Sequence, residues 1–302
     1  MNCQPDSIFF REEIRNGFLV TEKMKKIWYT EISLLQELDR VCKKYGLRYF
    51  AEYGTLLGAV RHKGFIPWDD DIDVAMFRDD YEKLKEVASY EFKAPYFFQD
   101  SYTDSMIWPF SKLRDSRTTA IEFPDYRRDF NQGIFLDIFP LDDIADELEQ
   151  NKRVYVMKYE MWKTIVNGEG VLDEINNGIQ FILPYDILME LLGMPVRDRM
   201  KGFEAFCNMH FGESKYVNLI TSAFNGSNVK EAVWYRDTVY MPFEYMQIPV
   251  PIDYDLVLTK EYGNYHEIIM GGSSHEGIIF EPDIPYTTYM ENHSGKYRLS
   301  ES

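Results

Sequence analysis

Trp68-Asp69-Asp70-Asp71-Ile72-Asp73-Val74 is the stretch that decides how the rest of the chain is read. In a β-strand successive side chains alternate between faces, so Asp71 and Asp73 share one face while Ile72 and Val74 share the other. Two carboxylates stacked on a strand with an apolar back repel each other. A bound divalent cation turns that repulsion into binding, and carboxylate oxygens suit Mg²⁺ or Mn²⁺. The plainer reading is a solvated acidic turn at the start of a strand. Asp69 and Asp70 fit it as loop or cap residues, whereas Asp71 and Asp73 are read as metal ligands.

Upstream, Tyr53-Gly54-Thr55-Leu56-Leu57-Gly58 puts a glycine and a hydroxyl side chain at a strand-to-helix turn. There the backbone can approach a ligand closely, and free N–H groups at the helix start favour phosphate. Alone, the same pair is equally a turn and a cap. Downstream, Phe135-Leu136-Asp137-Ile138-Phe139 sets one acid inside an apolar strand, which is costly unless the acid is paired or metal-bound. If that strand lies beside the Asp71 strand, Asp137 completes a three-carboxylate site. Otherwise an arginine or backbone donors satisfy it.

The glycine–hydroxyl turn, the Asp-x-Asp strand and the later strand acid together resemble the nucleotidyltransferase superfamily. More sharply, residues 53–61, then Gly64-Phe65-Ile66-Pro67-Trp68-Asp69-Asp70-Asp71-Ile72-Asp73, then Gly133-Ile134-Phe135-Leu136-Asp137-Ile138-Phe139-Pro140-Leu141-Asp142 resemble the LicD family. The resemblance extends more loosely from about residue 22 to residue 270, including Leu258-Thr259-Lys260-Glu261-Tyr262-Gly263. The family includes bacterial phosphocholine transferases of cell-surface glycans and, more distantly, fukutin-type alditol-phosphate transferases. The resemblance implies an α/β (α+β) fold: a nucleotidyltransferase-like core with a mixed sheet. It also implies transfer of a phospho-substituent from a CDP-linked donor to a sugar hydroxyl of a glycan precursor, lipid-linked or not. Asp71 and Asp73 would be ligands of Mg²⁺ or Mn²⁺, and Asp137 the third acid, as ligand or as base. The acid at position 70, usually apolar in the superfamily, agrees with the LicD-like subset. Two other functions are weighed. A true nucleotidyltransferase would use the same acids and attack the other phosphorus. A non-catalytic binding protein on this fold is opposed by the three intact acids.

Composition narrows the partners. The 302 residues carry 50 acidic and 33 basic side chains, a net charge of −17. That field repels polyphosphate chains and argues against nucleic acid, whose affinity comes from neutralised phosphates. A small nucleotide brought in by a metal ion is compatible with it. Cys3, Cys42 and Cys207 form no CxxC pair, so neither a disulfide framework nor a structural zinc site is expected. The N-terminal residues lack a signal peptide's apolar run, and nowhere do 18 apolar residues run together. The expectation is a cytoplasmic protein, or one peripheral at the inner face of a membrane.

Length and pattern suggest one catalytic unit over 1–302, with a core at about 22–142, a helical insertion at about 143–212 and a C-terminal extension at about 213–302. Apolar residues at three- and four-residue steps predict a helix from Thr21 to Tyr45, with Thr21 as cap and Gly46 as stop. Strands are expected at 47–52, 71–77, 96–99, 107–113, 118–122, 134–139 and 216–221, and a hairpin at 239–250. Helices are expected at 55–61, 79–90 and 254–262. From Asp142 to about Met200 the pattern is helical, broken at Gly168, Gly170, Pro184 and Pro195, with a helix near 196–211.

Cations near the acids are few. Lys112-x-Arg114 puts two on one strand face, and Arg61 precedes the acid stretch with His62 and Lys63. Lys112, Arg114 and Arg61, with Gly54 and Thr55, are the donor-phosphate candidates, since arginine forks suit phosphate. Surface pairing with surplus acids is the alternative for the cations, and Arg127 and Arg128 rank lower. Trp68 and the tyrosines could box a quaternary ammonium by cation–π contact, or be core. Phe181 to Met194 reads as a buried helix pair, or as a patch leaning transiently on a membrane to reach a lipid-linked acceptor.

Overall fold

The computed structural model describes residues 4–122, 129–144, 148–209, 214–219, 229–271 and 277–293, and of 148–152 the backbone alone. A hairpin of β1 (Glu13–Arg15) and β2 (Phe18–Val20) leads into helix α1 (Glu22–Tyr45). Thr21 caps α1 by accepting from the Met24 N–H at 3.2 Å, and Gly46 ends it at φ +68°. A residue with a Cβ would be strained at that angle. Both ends match the sequence reading.

The chain then builds β3 (Phe50–Ala51), α2 (Tyr53–Leu57), a wider π-type turn over Gly58–His62, β4 (Asp73–Phe77), α3 (Arg78–Glu91) and β5 (Tyr96–Gln99). Next come β6 (Ser111–Asp115), β7 (Thr119–Ile121) and β8 (Ile134–Ile144). Helices α4 (Leu148–Val166), α5 (Gly170–Asn176), α6 (Tyr185–Gly193) and α7 (Val196–Cys207) follow, parted at the expected glycines and prolines. Last come β9 (Tyr216–Leu219), β10 (Lys230–Glu231), the β11 (Thr238–Phe243) and β12 (Met246–Pro251) hairpin, α8 (Tyr254–Tyr262), β13 (Ile279–Glu281) and α9 (Tyr286–His293).

Seven strands make one mixed sheet around β8. Parallel β4 lies along one edge, Asp73 facing Asp137 through to Phe77 facing Leu141. The other edge is shared: antiparallel β6 covers Ile134–Ile138, and antiparallel β9 covers Leu141–Ile144. β3, β5 and β10 flank β4, β6 and β9. The α/β expectation of a mixed sheet is met. Leu34, Leu35 and Leu38 of α1 and Tyr81 and Leu84 of α3 join Val74, Met76, Leu113, Leu136 and Ile138 in the main core. Because side chains alternate, the residues between these point to the opposite face.

The strand expected at 47–52 narrows to Phe50–Ala51 and the helix expected at 55–61 divides at Gly58, and three further boundaries differ from the sequence reading for a physical reason. The strand expected at 107–113 forms at 111–115, because Pro109 has no N–H for a ladder. The acid strand begins at Asp73, where pairing with β8 begins, so Asp71 stands just ahead of the ladder. β8 runs on to Ile144 through a stretch read as the start of the helices, and Arg78 makes that extension tolerable by pairing with buried Asp142. The expected ends at residues 211, 220 and 221, and Arg127 and Arg128, lie outside the described residues. In the 181–194 stretch Leu183, Leu188 and Leu191 are buried, while Ile182, Tyr185, Ile187 and Met189 are exposed. Among the described residues no helix is long and apolar enough to cross a membrane.

Candidate active site

On the face opposite the core, Asp73, Asp137, Lys112 and Gln99 stand side by side across β4, β8, β6 and β5. Backbone bonds fix this row: the Asp137 N–H donates to the Ile72 carbonyl at 2.9 Å, and the Asp73 N–H to Thr55 Oγ1 at 2.8 Å. Just before the row, Asp69, Asp70 and Asp71 offer carboxylate oxygens within 4.8 Å of one another, all half-buried. Among the described residues this is the one such group of three. Asp69 and Asp70, read as turn residues, therefore belong to the acid cluster. The charges feel one another. Burial and then Asp71 push the Asp69 carboxyl up to about 8. Desolvation, then Asp71 and Asp137, hold Asp73 well above the usual carboxylate range. Burial raises Asp137 too, against the pull of Lys112.

Gly54 faces this cluster, and a Cβ there would stand 2.4 Å from Asp69 Oδ2. Gly54→Ala is therefore expected to fold but to displace the Asp69 carboxylate. Since a misplacement of about 1 Å can cost 10²-fold in rate, a drop of about that size in kcat is expected. Unchanged kcat would show that Asp69 tolerates the shift. Tyr53, beside it, enters α2 at φ +46°, a conformation that costs a bulky residue about 1–3 kcal/mol.

The other site candidates are distributed as follows. Thr55 is buried, its hydroxyl accepting from Asp73. Lys112 is buried with its ammonium on both Asp137 oxygens, at 2.7 and 3.0 Å, and over the Phe135 ring. Arg114, on the same face, is also buried. Its guanidinium donates to Gln99, to the Gly133 carbonyl at 2.8 Å and to Glu122 at 2.6 Å. Arg61 is half-buried, donating to the Tyr265 and Glu267 carbonyls at 2.9 and 3.0 Å. It makes no ion pair among the described residues, and burial lowers its pKa. Burial and Arg61 push His62 down to about 4. Trp68 stacks edge-on to Phe18 and His62.

Sequence reasoning missed three neighbours of the acids. Glu31 on α1 is 1% exposed and leans on the cluster. Glu52 is buried between Lys230 and the Tyr235 hydroxyl. Tyr262 feels Asp73 and Asp69, which help burial raise its pKa. These contacts join distant segments, and no local pattern announces them.

Without a cation, the raised acids set a pH dependence. Asp69 moves from an ordinary 3.8 to about 8. Below 3.8 both folded and unfolded chains hold the proton. Between 3.8 and 8 only the folded chain does, so its stability falls as pH rises, levelling above 8. Asp73 and Asp137 are raised as well and act with the same sign. In EDTA the melting temperature is expected to fall from pH 5 to pH 8, with a shallower slope in Mg²⁺. A melting temperature rising over that range would contradict this account.

Asp73 and Asp137 thus face each other on neighbouring parallel strands of a mixed sheet, and the Gly-Thr turn is tied to the first of them through the Thr55 hydroxyl. Residues 46–166 match the family model described as LicD/FKTN/FKRP, nucleotidyltransferase domain. Over 267 residues the chain is 26% identical to the lipopolysaccharide cholinephosphotransferase LicD of Haemophilus influenzae, covering 81% of this chain and 94% of that protein. It is 30% identical over 108 residues to human ribitol 5-phosphate transferase FKRP, covering 30% of this chain and 22% of that one. Residues 46–166 are thus similar to the family that the motifs resembled, and these two named relatives are transferases of phosphate groups.

Proposed function

We propose that this chain transfers a substituted phosphate, phosphocholine or an alditol phosphate, from a CDP-linked donor to a sugar hydroxyl of a cell-surface glycan precursor. The observation that carries the reading is the register pair Asp73–Asp137 with Asp69, Asp70 and Asp71 gathered just before it. The donor set fits Mg²⁺ or Mn²⁺, being carboxylate oxygens with no thiolate or imidazole among them. Asp71, Asp73 and Asp137 would hold the ion, with Asp69 and Asp70 in reach. When bound, it supplies positive charge for the donor diphosphate and for the leaving nucleotide monophosphate.

The chain's own residues position and move protons. Asp137 accepts the proton of the attacking hydroxyl, and Lys112 on both its oxygens tunes how readily it does so. Thr55 keeps Asp73 at the head of its strand. Gly54, having no Cβ, lets the Asp69 carboxylate sit against its backbone, and Arg61, which makes no ion pair among the described residues, would meet the donor phosphates. Arg114, with each nitrogen already on a protein acceptor, holds β6 in shape. Positioning and electrostatics supply most of the rate in phosphoryl transfer.

The test is incubation with CDP-choline, CDP-ethanolamine, CDP-glycerol and CDP-ribitol and candidate sugars, in Mg²⁺ or EDTA, followed by mass spectrometry. One donor should leave its substituted phosphate on the sugar and release CMP, in Mg²⁺ only. A product carrying cytidine monophosphate would instead establish nucleotidyl transfer. No turnover with any donor, or turnover unaffected by EDTA, would overturn the proposal.

A further inference from the structure

Glu31 lies in the middle of α1, far in sequence from every motif acid. Its side chain is 1% exposed, and its Oε2 has no hydrogen-bond partner. A buried carboxylate oxygen without a donor costs about 1–3 kcal/mol or more, and such a group calls for an explanation, an absent ion among them. Its surroundings supply one. One helical turn earlier, Trp28 donates its indole N–H to the Asp69 carbonyl at 2.9 Å, which seats this face of α1 against the acid cluster. Residues three apart share a helix face, so Glu31 meets the same loop. Asp71, Asp70, Asp69 and Asp73 all bear on its carboxyl, and with burial hold it well above the usual range. No ion pair reaches Glu31 among the described residues. A fifth acid driven into four others is what a stable core avoids, and what a site for a hard divalent cation collects.

We propose that Glu31 is part of the cation site: an outer carboxylate, delivered by α1 from behind the Asp69–Asp73 loop, that strengthens divalent-cation binding and fixes the cluster's geometry. This rests on the cation reading of the acids given above and adds a residue to it. Carboxylates placed behind the direct ligands usually change metal affinity by 10- to 100-fold when removed.

The test uses Mn²⁺ alone as probe, counted by electron paramagnetic resonance, with the full chain as wild type, Glu31→Gln, Glu31→Asp and Asp71→Asn. Melting curves in EDTA accompany each. Glu31→Gln keeps the shape and gives the pocket a donor. Its Mn²⁺ affinity is expected to fall 10- to 100-fold, with the EDTA melting temperature unchanged or higher. Glu31→Asp keeps the charge but withdraws it by one methylene, and should fall between wild type and Glu31→Gln. Wild-type Mn²⁺ affinity in either variant, with Asp71→Asn impaired, would overturn the role of Glu31 and leave the cation reading standing. A wild-type chain that binds no Mn²⁺ would overturn both.

Discussion

Asp71→Asn is expected to abolish transfer in practice, lowering the rate by on the order of 10³-fold, while the metal-free protein melts no lower than wild type. Both halves follow from one fact: Asp71 belongs to a crowd of like charges. Its oxygens lie within 4.8 Å of those of Asp69 and Asp70, and its field helps raise Asp69, Asp73, Asp137 and Glu31. An amide of the same shape removes one negative charge from that crowd. The apo fold then loses repulsion and gains a donor. A cation held as proposed would lose a charged ligand, and with it several kcal/mol of transition-state charge stabilisation, each 1.36 kcal/mol being about tenfold in rate. Initial rates with the active CDP donor and melting curves in EDTA measure the two halves. A melting temperature several degrees lower in EDTA would make Asp71 a structural acid.

What the sequence makes legible here is what a few consecutive residues decide. Thr21 and Gly46 bound α1 because a cap needs only its own turn. Asp71 and Asp73 stand out because like charges on an apolar strand are improbable without a counter-charge. Asp137 stands out as a lone acid in an apolar run. The rest depends on which segments meet. Lys112 and Asp137 are both conspicuous in sequence, yet their bond follows from a register that places Lys112 opposite Asp137 across β6 and β8. That register commits Lys112 to a carboxylate. Glu31 looks like an ordinary helix acid until Trp28 docks α1 on the Asp69 carbonyl. Asp142-Asp143 reads as the start of the helical stretch, because the partner that lets it extend β8 lies on a different element.

That partner carries the second large effect: Asp142→Ala is expected to cost about 3–5 kcal/mol of stability, the usual penalty for breaking a buried ion pair from one side. Arg78 and Asp142 are 2% and 1% exposed, joined by two bonds of 2.6 and 2.9 Å. Burial alone would lower the Arg78 pKa, but Asp142 more than reverses this and holds it well above the usual value. Without Asp142 the guanidinium keeps, among the described residues, the Glu82 ion pair alone, and buried Lys158, 3.8 Å from Asp142, becomes a second uncompensated charge in the same place. The position matters as much as the energy. Phe77 faces Leu141 at the end of the β4–β8 ladder, so Arg78 and Asp142 clamp the next step of the same parallel pair. Asp73 and Asp137 face each other at its other end. A slip of one residue would turn one acid to the core face. The clamp at one end therefore holds the acids in register at the other. Urea unfolding should show the loss in Asp142→Ala, and a smaller loss in the Arg78→Met/Asp142→Leu double variant, where no charge is stranded. Under conditions where both remain folded, Asp142→Ala should lose kcat more than KM. A cost below about 1 kcal/mol, within the range of exposed pairs, would show that this pair neither anchors the strand ends nor sets the register of the acids.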